Sequence, residues 1–386
     1  MASFPEAAWR NHLVPEEWEA CLDAWVTLAE AHLSLPTAEF VRISTKDESL
    51  AAFLTSYFEQ TALSHDFLPP KISLKAKHLR RQCFLLSHRL LEVPTTPEPL
   101  LHRHFLANVS KVYGRRHGSE LMKVVWAQHS SSLEAVLSLL KTSLALELDT
   151  GLKGDLRTTE LQLKRLNYVL HVSPGAAAFF LAGSDFLDAL ISCYKLMNPP
   201  LRKVIISTTY LCLIGLTEGE KPNFSSLVDQ LYFLKSVADA HKVGPTNVND
   251  SLVAELVTVT PILKHVQRRI EASGSGSGRA KSVLTALEGF RKAGSSGRPQ
   301  RLIARKIDKG KGISRGNAGE NGLDGQLHIH RMSLVSQAQD LFPDLGSRFI
   351  GKLLDEYKDD VEQVTAHLLE GSLPPHLKNA DRAERL

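Results

Sequence analysis

Residues 332–375 read MSLVSQAQDLFPDLGSRFIGKLLDEYKDDVEQVTAHLLEGSLPP and contain three short segments with apolar residues at helical spacing. The first runs from Met332 to Phe342. It ends at Pro343, which has no backbone N–H and disfavours helical geometry in the residue before it. The second runs from about Ser347 to Tyr357 and the third from Val361 to Glu370. The pattern predicts a small three-helix bundle.

Each predicted helix has one apolar side, and the three sides are enough to close a minimal core. The apolar positions are Leu334, Val335, Ala338 and Leu341 in the first helix, Phe349, Ile350, Leu353, Leu354 and Tyr357 in the second, and Val361, Val364 and Leu368 in the third. Asp344 is a candidate cap for the second helix, and Asp359 or Asp360 for the third. Gly371 is expected to end the third helix.

Some apolar residues of this segment are not needed for the core. Phe342 and Pro343 follow the first helix, and Leu369 lies beside the inner side of the third. In an antiparallel arrangement these positions come together, next to Asp340, Asp344 and Glu370. A small apolar patch with acidic neighbours suits a partner that has an aliphatic surface ringed by lysine and arginine.

Two short motifs in this segment resemble those of CUE domains. Leu341-Phe342-Pro343 is similar to the family's Met-Phe-Pro motif, although leucine replaces the methionine that many members have. Leu368-Leu369 is similar to the di-leucine near the end of the family's third helix. The wider strings Asp340–Gly346 and Val361–Pro375 resemble one branch, the family of subunit 2 of the activating signal cointegrator complex.

The N-terminal part of the chain also resembles that family, whose members continue into a long polar tail beyond the position of Leu386. The stretches that carry this likeness are Leu201–Tyr210, Leu216–Gly219, Phe224 and Asp229–Tyr232.

The resemblance implies an adaptor and not an enzyme. Family members bind polyubiquitin chains of the open, non-degradative type through the CUE domain. Their helical domain docks on the N-terminal arm of a large Ski-type RNA helicase, which hydrolyses the ATP. The complex acts on ubiquitinated, collided ribosomes in quality control. The residues expected to bind ubiquitin here are Leu341, Phe342, Pro343, Asp344, Leu368 and Leu369. No catalytic residue, cofactor or metal is expected.

The remainder of the chain predicts an all-α fold in four parts. Residues 1–271 have helical periodicity nearly throughout, as in the stripe of Leu133, Val136, Leu137, Leu140 and Leu144. We predict an all-helical helicase-docking domain at 1–271, a disordered basic linker at 272–330, the CUE domain at 331–375 and a tail at 376–386.

The predicted linker concentrates the basic charge of the chain. It holds 11 Lys and Arg against 4 Asp and Glu, and 12 of the 24 glycines. Such a composition buries too little apolar surface to fold, except where Val283, Leu284, Leu287 and Phe290 predict a short amphipathic helix. A basic segment also leaves open an RNA-binding scaffold or a ribosome contact.

The cysteine pattern and the apolar runs point to a soluble, intracellular protein, and we expect it in the cytoplasm and also in the nucleus. The four cysteines are far apart and form no CxxC pair, which favours a reducing compartment. The N-terminus lacks the basic start and apolar run of a signal peptide. No stretch reaches the roughly 20 apolar residues that a bilayer requires, so we expect no membrane partner. A ubiquitin adaptor in membrane-protein degradation or sorting is the alternative within the same class.

Overall fold

The computed structural model confirms the all-α fold, because no described residue lies in a strand. The helices form two compact units, Met1–Gln230 and Leu231–Leu386. The predicted four-part division stays a prediction. The structure describes residues 1–10, 12–44, 46–64, 73–219, 222–241, 249–274, 278–292, 334–335, 337–339, 341–342, 345–357, 360–378, 380 and 382.

The first unit is a stack of helices around α6 and α10. Its helices are α1 (Ala7–Arg10), α2 (Pro15–Ser34), α3 (Thr37–Ser44), α4 (Glu48–Ser64), α5 (Leu74–Leu91), α6 (Arg103–Thr150), α7 (Leu156–Val172), α8 (Pro174–Leu181), α9 (Asp185–Tyr194) and α10 (Pro199–Gly215). Helix α11 (Phe224–Ala240) crosses the boundary between the units.

Helix α10 is buried along most of its length, which explains its apolar sequence. Asn198 caps its first turn by accepting a hydrogen bond from the Leu201 N–H at 3.1 Å. Two prolines follow at its first positions, where a missing N–H costs nothing. Gly215 ends the helix against α8, and a Cβ at this position would lie 2.3 Å from the Cβ of Ala177. This glycine sets how closely the two helices approach.

Helix α6 is interrupted twice and is therefore not straight. Gly114 has φ 60°, a left-handed conformation that glycine adopts readily, and His129 is also non-helical. The ring of His129 is held at the second interruption, with Nε2 2.9 Å from the Leu91 carbonyl and 3.0 Å from the Thr96 hydroxyl. Both ends of α6 can thus contact the same neighbour, α7.

The second unit begins with three helices, α12 (Leu252–Val259), α13 (Ile262–Ser273) and α14 (Gly278–Glu288). Helix α14 is the short amphipathic helix predicted inside the linker, and Val283, Leu284 and Leu287 are buried in it. The linker prediction for residues 293–330 lies outside the described residues.

The C-terminal bundle of this unit matches the predicted helices closely. Residues 334–335, 337–339 and 341 are helical, followed by α15 (Ser347–Glu356), α16 (Val361–Glu370) and α17 (Pro375–Lys378). The buried cluster is formed by Val335, Ala338, Phe349, Ile350, Leu353, Leu354, Val364, Leu373 and Leu377. Two of these, Leu373 and Leu377, follow the third predicted helix and were not predicted as core.

Among the described residues, no single helix is long and apolar enough to cross a membrane. Helices α8 and α9 pass that test only as a pair, which is bent by 83°. Most of their apolar side chains are buried in the first unit.

We predict that Gly215→Ala destabilises the first unit by about 1–3 kcal/mol, because the added methyl overpacks the contact between α8 and α10. The measurement is the urea midpoint of the full chain. Gly154→Ala is the matched control, since its Cβ would meet Thr150 at an ordinary 3.4 Å. Equal midpoints for the two variants would contradict the close approach.

Candidate functional site

The turn after the first helix of the C-terminal bundle holds Phe342 in a fixed position. The Phe342 N–H donates to the Ala338 carbonyl at 3.0 Å, and its own carbonyl accepts from the Leu345 N–H at 3.1 Å. The Gln339 side chain donates to the Leu345 carbonyl at 3.1 Å and closes the turn. The side chains of Leu341 and Phe342 are partly exposed there.

Helix α15 follows this turn, and its N-cap residue is Gly346. The cap predicted at Asp344 falls outside the described residues and stays a prediction. The Gly346 N–H donates to the Arg382 carbonyl at 2.7 Å and ties the turn to the end of the chain. Pro343 and Asp344, both predicted to bind ubiquitin, lie outside the described residues.

Helix α16 carries the two leucines and has both predicted caps. Oδ1 of Asp360 accepts from the Glu362 and Gln363 N–H groups at 3.1 and 3.2 Å, and Gly371 ends the helix with φ 62°. Leu368 packs against the buried cluster of the bundle. Leu369 is partly exposed and, like Leu341 and Phe342, belongs neither to that cluster nor to the residues packed on it.

A second side of α16 is buried outside the bundle core. Thr365 is 1% exposed and Ala366 8%, although neither belongs to the bundle's cluster. Glu362 and Leu369 are seven residues apart, nearly two helical turns, so they share this side with Thr365 and Ala366. The sequence analysis assigned only the side that faces the bundle core.

Ion pairs join this second side of α16 to α13 and to Arg291, which follows α14. One carboxylate oxygen of Glu362 lies 2.8 Å from Lys264 Nζ and the other 2.7 Å from Arg291 Nη1. Glu362 and Arg291 are 18% and 9% exposed at the side chain. Burial lowers the pKa of Arg291, but the bonds to Glu288 and the charge of Glu362 outweigh it and raise the pKa, so the guanidinium stays charged.

Glu370 also contacts α13. Its Oε1 lies 2.8 Å from His265 Nδ1, and its side chain is only 11% exposed. The sequence analysis had placed Glu370 on an exposed acidic rim, and the structure corrects this. We call Lys264, His265, Arg291, Glu362 and Glu370 the seam.

The seam escaped sequence analysis because its partners are far apart along the chain. Glu362 lies 71 residues from Arg291, and isolated charges on amphipathic helices are ordinarily solvated. The only local signal was that Glu362 and Glu370 lie at the two ends of α16, one on each side of Leu369. Among the described residues there is no cluster of His, Cys, Asp or Glu that could hold a metal ion.

Comparison with known proteins identifies the bundle. Residues 331–372 match the CUE domain family, so the partly exposed residues lie in a CUE domain. The CUE region is 50% identical over 50 residues to "Activating signal cointegrator 1 complex subunit 2" of Mus musculus and equally to that of Homo sapiens. These matches cover 13% of this chain and 7% of each relative. No solved structure matches the chain.

We predict that Asp360→Ala destabilises α16 by about 1 kcal/mol, because the first N–H groups of the helix lose their acceptor. Hydrogen exchange of the α16 amides measures the effect. Asp360→Asn is the control and should retain the protection, since asparagine caps about as well as aspartate. Equal loss of protection in both variants would show that the charge and not the cap stabilises the helix.

Proposed function

We propose that this chain is a ubiquitin-binding adaptor that brings a complex containing a Ski-type RNA helicase to polyubiquitinated ribosomes. The CUE domain supplies recognition of ubiquitin, and the helical part of residues 1–271 supplies attachment to the helicase. The helicase performs the ATP hydrolysis. The chain itself is an adaptor without catalytic residues.

The partial exposure of Leu341, Phe342 and Leu369 is the observation that carries this proposal. Large apolar side chains in a small bundle are normally used for its core, because the bundle has little else to stabilise it. These three stay outside the buried cluster while Leu368, next in sequence to Leu369, packs on it. Side chains left partly exposed in this way are available for a partner.

The size of this surface implies weak binding of a single ubiquitin. Five or six side chains bury an area at the low end of specific interfaces, so we expect a Kd on the order of tens to hundreds of micromolar. Binding of several ubiquitins on one chain, by several receptors in one complex, raises the effective affinity. A preference for open polyubiquitin chains follows the same logic, since their units are separately accessible.

The seam limits access to the same surface. Leu369 lies between Glu362 and Glu370 in sequence and shares the side of α16 that contacts α13. A ubiquitin that binds Leu369 must therefore compete with this contact. The observed affinity is then the intrinsic affinity reduced by the fraction of molecules in which α16 is released.

The similarity of the CUE region to a subunit of the activating signal cointegrator 1 complex supports a role within a multi-subunit assembly. Co-purification from cells tests this part. We expect a large helicase and ubiquitinated small-subunit ribosomal proteins to co-purify with the full chain. Membrane machinery in their place would favour the sorting adaptor, and RNA without ubiquitin would favour the scaffold.

We predict that Phe342→Ala and Leu369→Asp each reduce capture of polyubiquitin by the full chain at least about tenfold, because each removes an apolar contact of the small interface. A pull-down with polyubiquitin of defined linkage measures this effect. Gln363→Asp is the matched control, since it adds the same charge at an exposed position of the same helix.

Thermal melting checks that the variants remain folded, and co-purification of the helicase should be unaffected in all of them. Capture that stays at the wild-type level in both Phe342→Ala and Leu369→Asp would contradict the site.

We predict that the double variant Lys264→Ala/Arg291→Ala binds monoubiquitin about three- to tenfold more tightly than the wild type. Both residues lie outside the CUE domain, so their loss weakens the seam without changing the ubiquitin-binding surface. The magnitude follows from about 1 kcal/mol for partly buried ion pairs. Isothermal titration calorimetry with monoubiquitin measures the change.

The control for this experiment is Lys235→Ala, which removes an exposed ion pair with Asp239 within α11 and should leave the affinity unchanged. A double variant with wild-type affinity would show that the seam does not limit access. Absence of binding in every variant would instead contradict ubiquitin recognition itself.

A further inference from the structure

The first unit contains a cleft that ubiquitin recognition does not use. It lies where both ends of α6 meet α7, and it encloses about 30 Å³. Ala107 and Leu137 both line it, although a straight helix would separate them by about 45 Å. The interruptions of α6 at Gly114 and His129 therefore create the cleft. Its walls are apolar and consist of Leu106, Ala107, Val136, Leu137, Leu140, Leu166 and Val169.

Two arginines without a carboxylate partner among the described residues lie at this cleft. Arg103 and Arg165 line it together with His104, and neither guanidinium has a carboxylate partner in the part of the chain that the structure describes. Arg165 Nη1 lies 3.1 Å from His104 Nδ1. Burial, and then the charges of Arg165 and Arg103, lower the pKa of His104. Positive charge is thus gathered at one place without a counter-charge, which an acidic partner would relieve.

Gln162 on the cleft wall is held by its own contact with α6. Its amide nitrogen donates to Glu147 Oε1 at 3.0 Å.

An exposed apolar stripe lies next to the cleft on α6. Leu139 is 75% exposed and Leu146 is 69% exposed. They are seven residues apart, so they lie on one side of the helix and about 10 Å from each other along its axis. Val136, which lines the cleft, is three residues before Leu139 and is its neighbour on the helix surface. Val136 therefore connects the edge of the cleft to the first leucine of the stripe.

The dimensions favour a peptide over a small molecule. A volume of about 30 Å³ has room for two or three water-sized groups, which is the tip of one aliphatic side chain. The stripe outside it matches two turns of a helix laid beside α6. The arginines at the cleft select acidic residues next to the apolar ones.

We propose that Arg103, Arg165, Leu139 and Leu146 form a docking surface for an acidic amphipathic helix of a partner protein. One aliphatic side chain of that helix enters the cleft, its neighbours cover the leucine stripe, and its carboxylates pair with the two arginines. This surface lies in the first unit and does not depend on ubiquitin binding.

Two synthetic helical peptides test the surface on the full chain. Both have leucines at positions i, i+3, i+4 and i+7; the acidic peptide has glutamates beside them and the basic peptide has lysines instead. Fluorescence anisotropy should show the acidic peptide binding at least about tenfold more tightly to the wild type. Arg103→Glu/Arg165→Glu should reverse this order, and Leu139→Asp should weaken binding of the acidic peptide.

Lys123→Glu/Lys153→Glu is the matched control, because it changes the net charge equally at two exposed lysines and should keep the wild-type order. Arg103→Gln/Arg165→Gln provides a milder second variant, which should reduce the preference for the acidic peptide if the reversal variant melts early. Equal binding of the two peptides, no binding of the acidic peptide up to about 1 mM, or an unchanged order in the reversal variant would each overturn the proposal.

Discussion

The contact of Glu362 with Lys264 and Arg291 connects the CUE domain to the rest of its unit. The contact uses a side of α16 that is next to the side facing the bundle core. One ten-residue helix therefore both completes the core and contacts α13. Val364 and Leu368 stabilise the bundle, while Thr365 and Ala366 are buried with the seam. Arg291 is nearly buried at the side chain and also pairs with Glu288, so its guanidinium is held in place where it meets Glu362.

Under the proposed function, the chain separates two kinds of recognition. The proposed ubiquitin surface is small, apolar and partly covered, which favours low affinity for single ubiquitins and makes multivalent targets selective. The first unit offers a different surface, in which arginines without a carboxylate partner and exposed leucines lie at a cleft between α6 and α7. Both surfaces have the same physical origin, namely side chains that the local core does not use.

The sequence predicted what local chemistry determines. Helices α15 and α16 were predicted from the spacing of their apolar residues. Asp360 and Gly371 were predicted as helix caps, because capping involves only a few neighbouring residues. The short helix α14 was found within a Gly-rich segment for the same reason. Leu377 was missed because Pro374 and Pro375 were taken as the end of the bundle, whereas Pro375 begins α17. The seam was missed because pairing between distant charges leaves no periodic pattern.

The most direct test of the central claim is a titration of the isotope-labelled full chain with unlabelled ubiquitin, followed by NMR. If the Phe342 turn and the end of α16 form one binding surface, the amide signals of residues 341–345 and 366–371 shift together with one Kd. Signals of Lys264 and Arg291 should shift in the same titration as α16 is released. Shifts confined to one of the two segments, or located only elsewhere in the chain, would contradict a ubiquitin site built from Phe342 and Leu369.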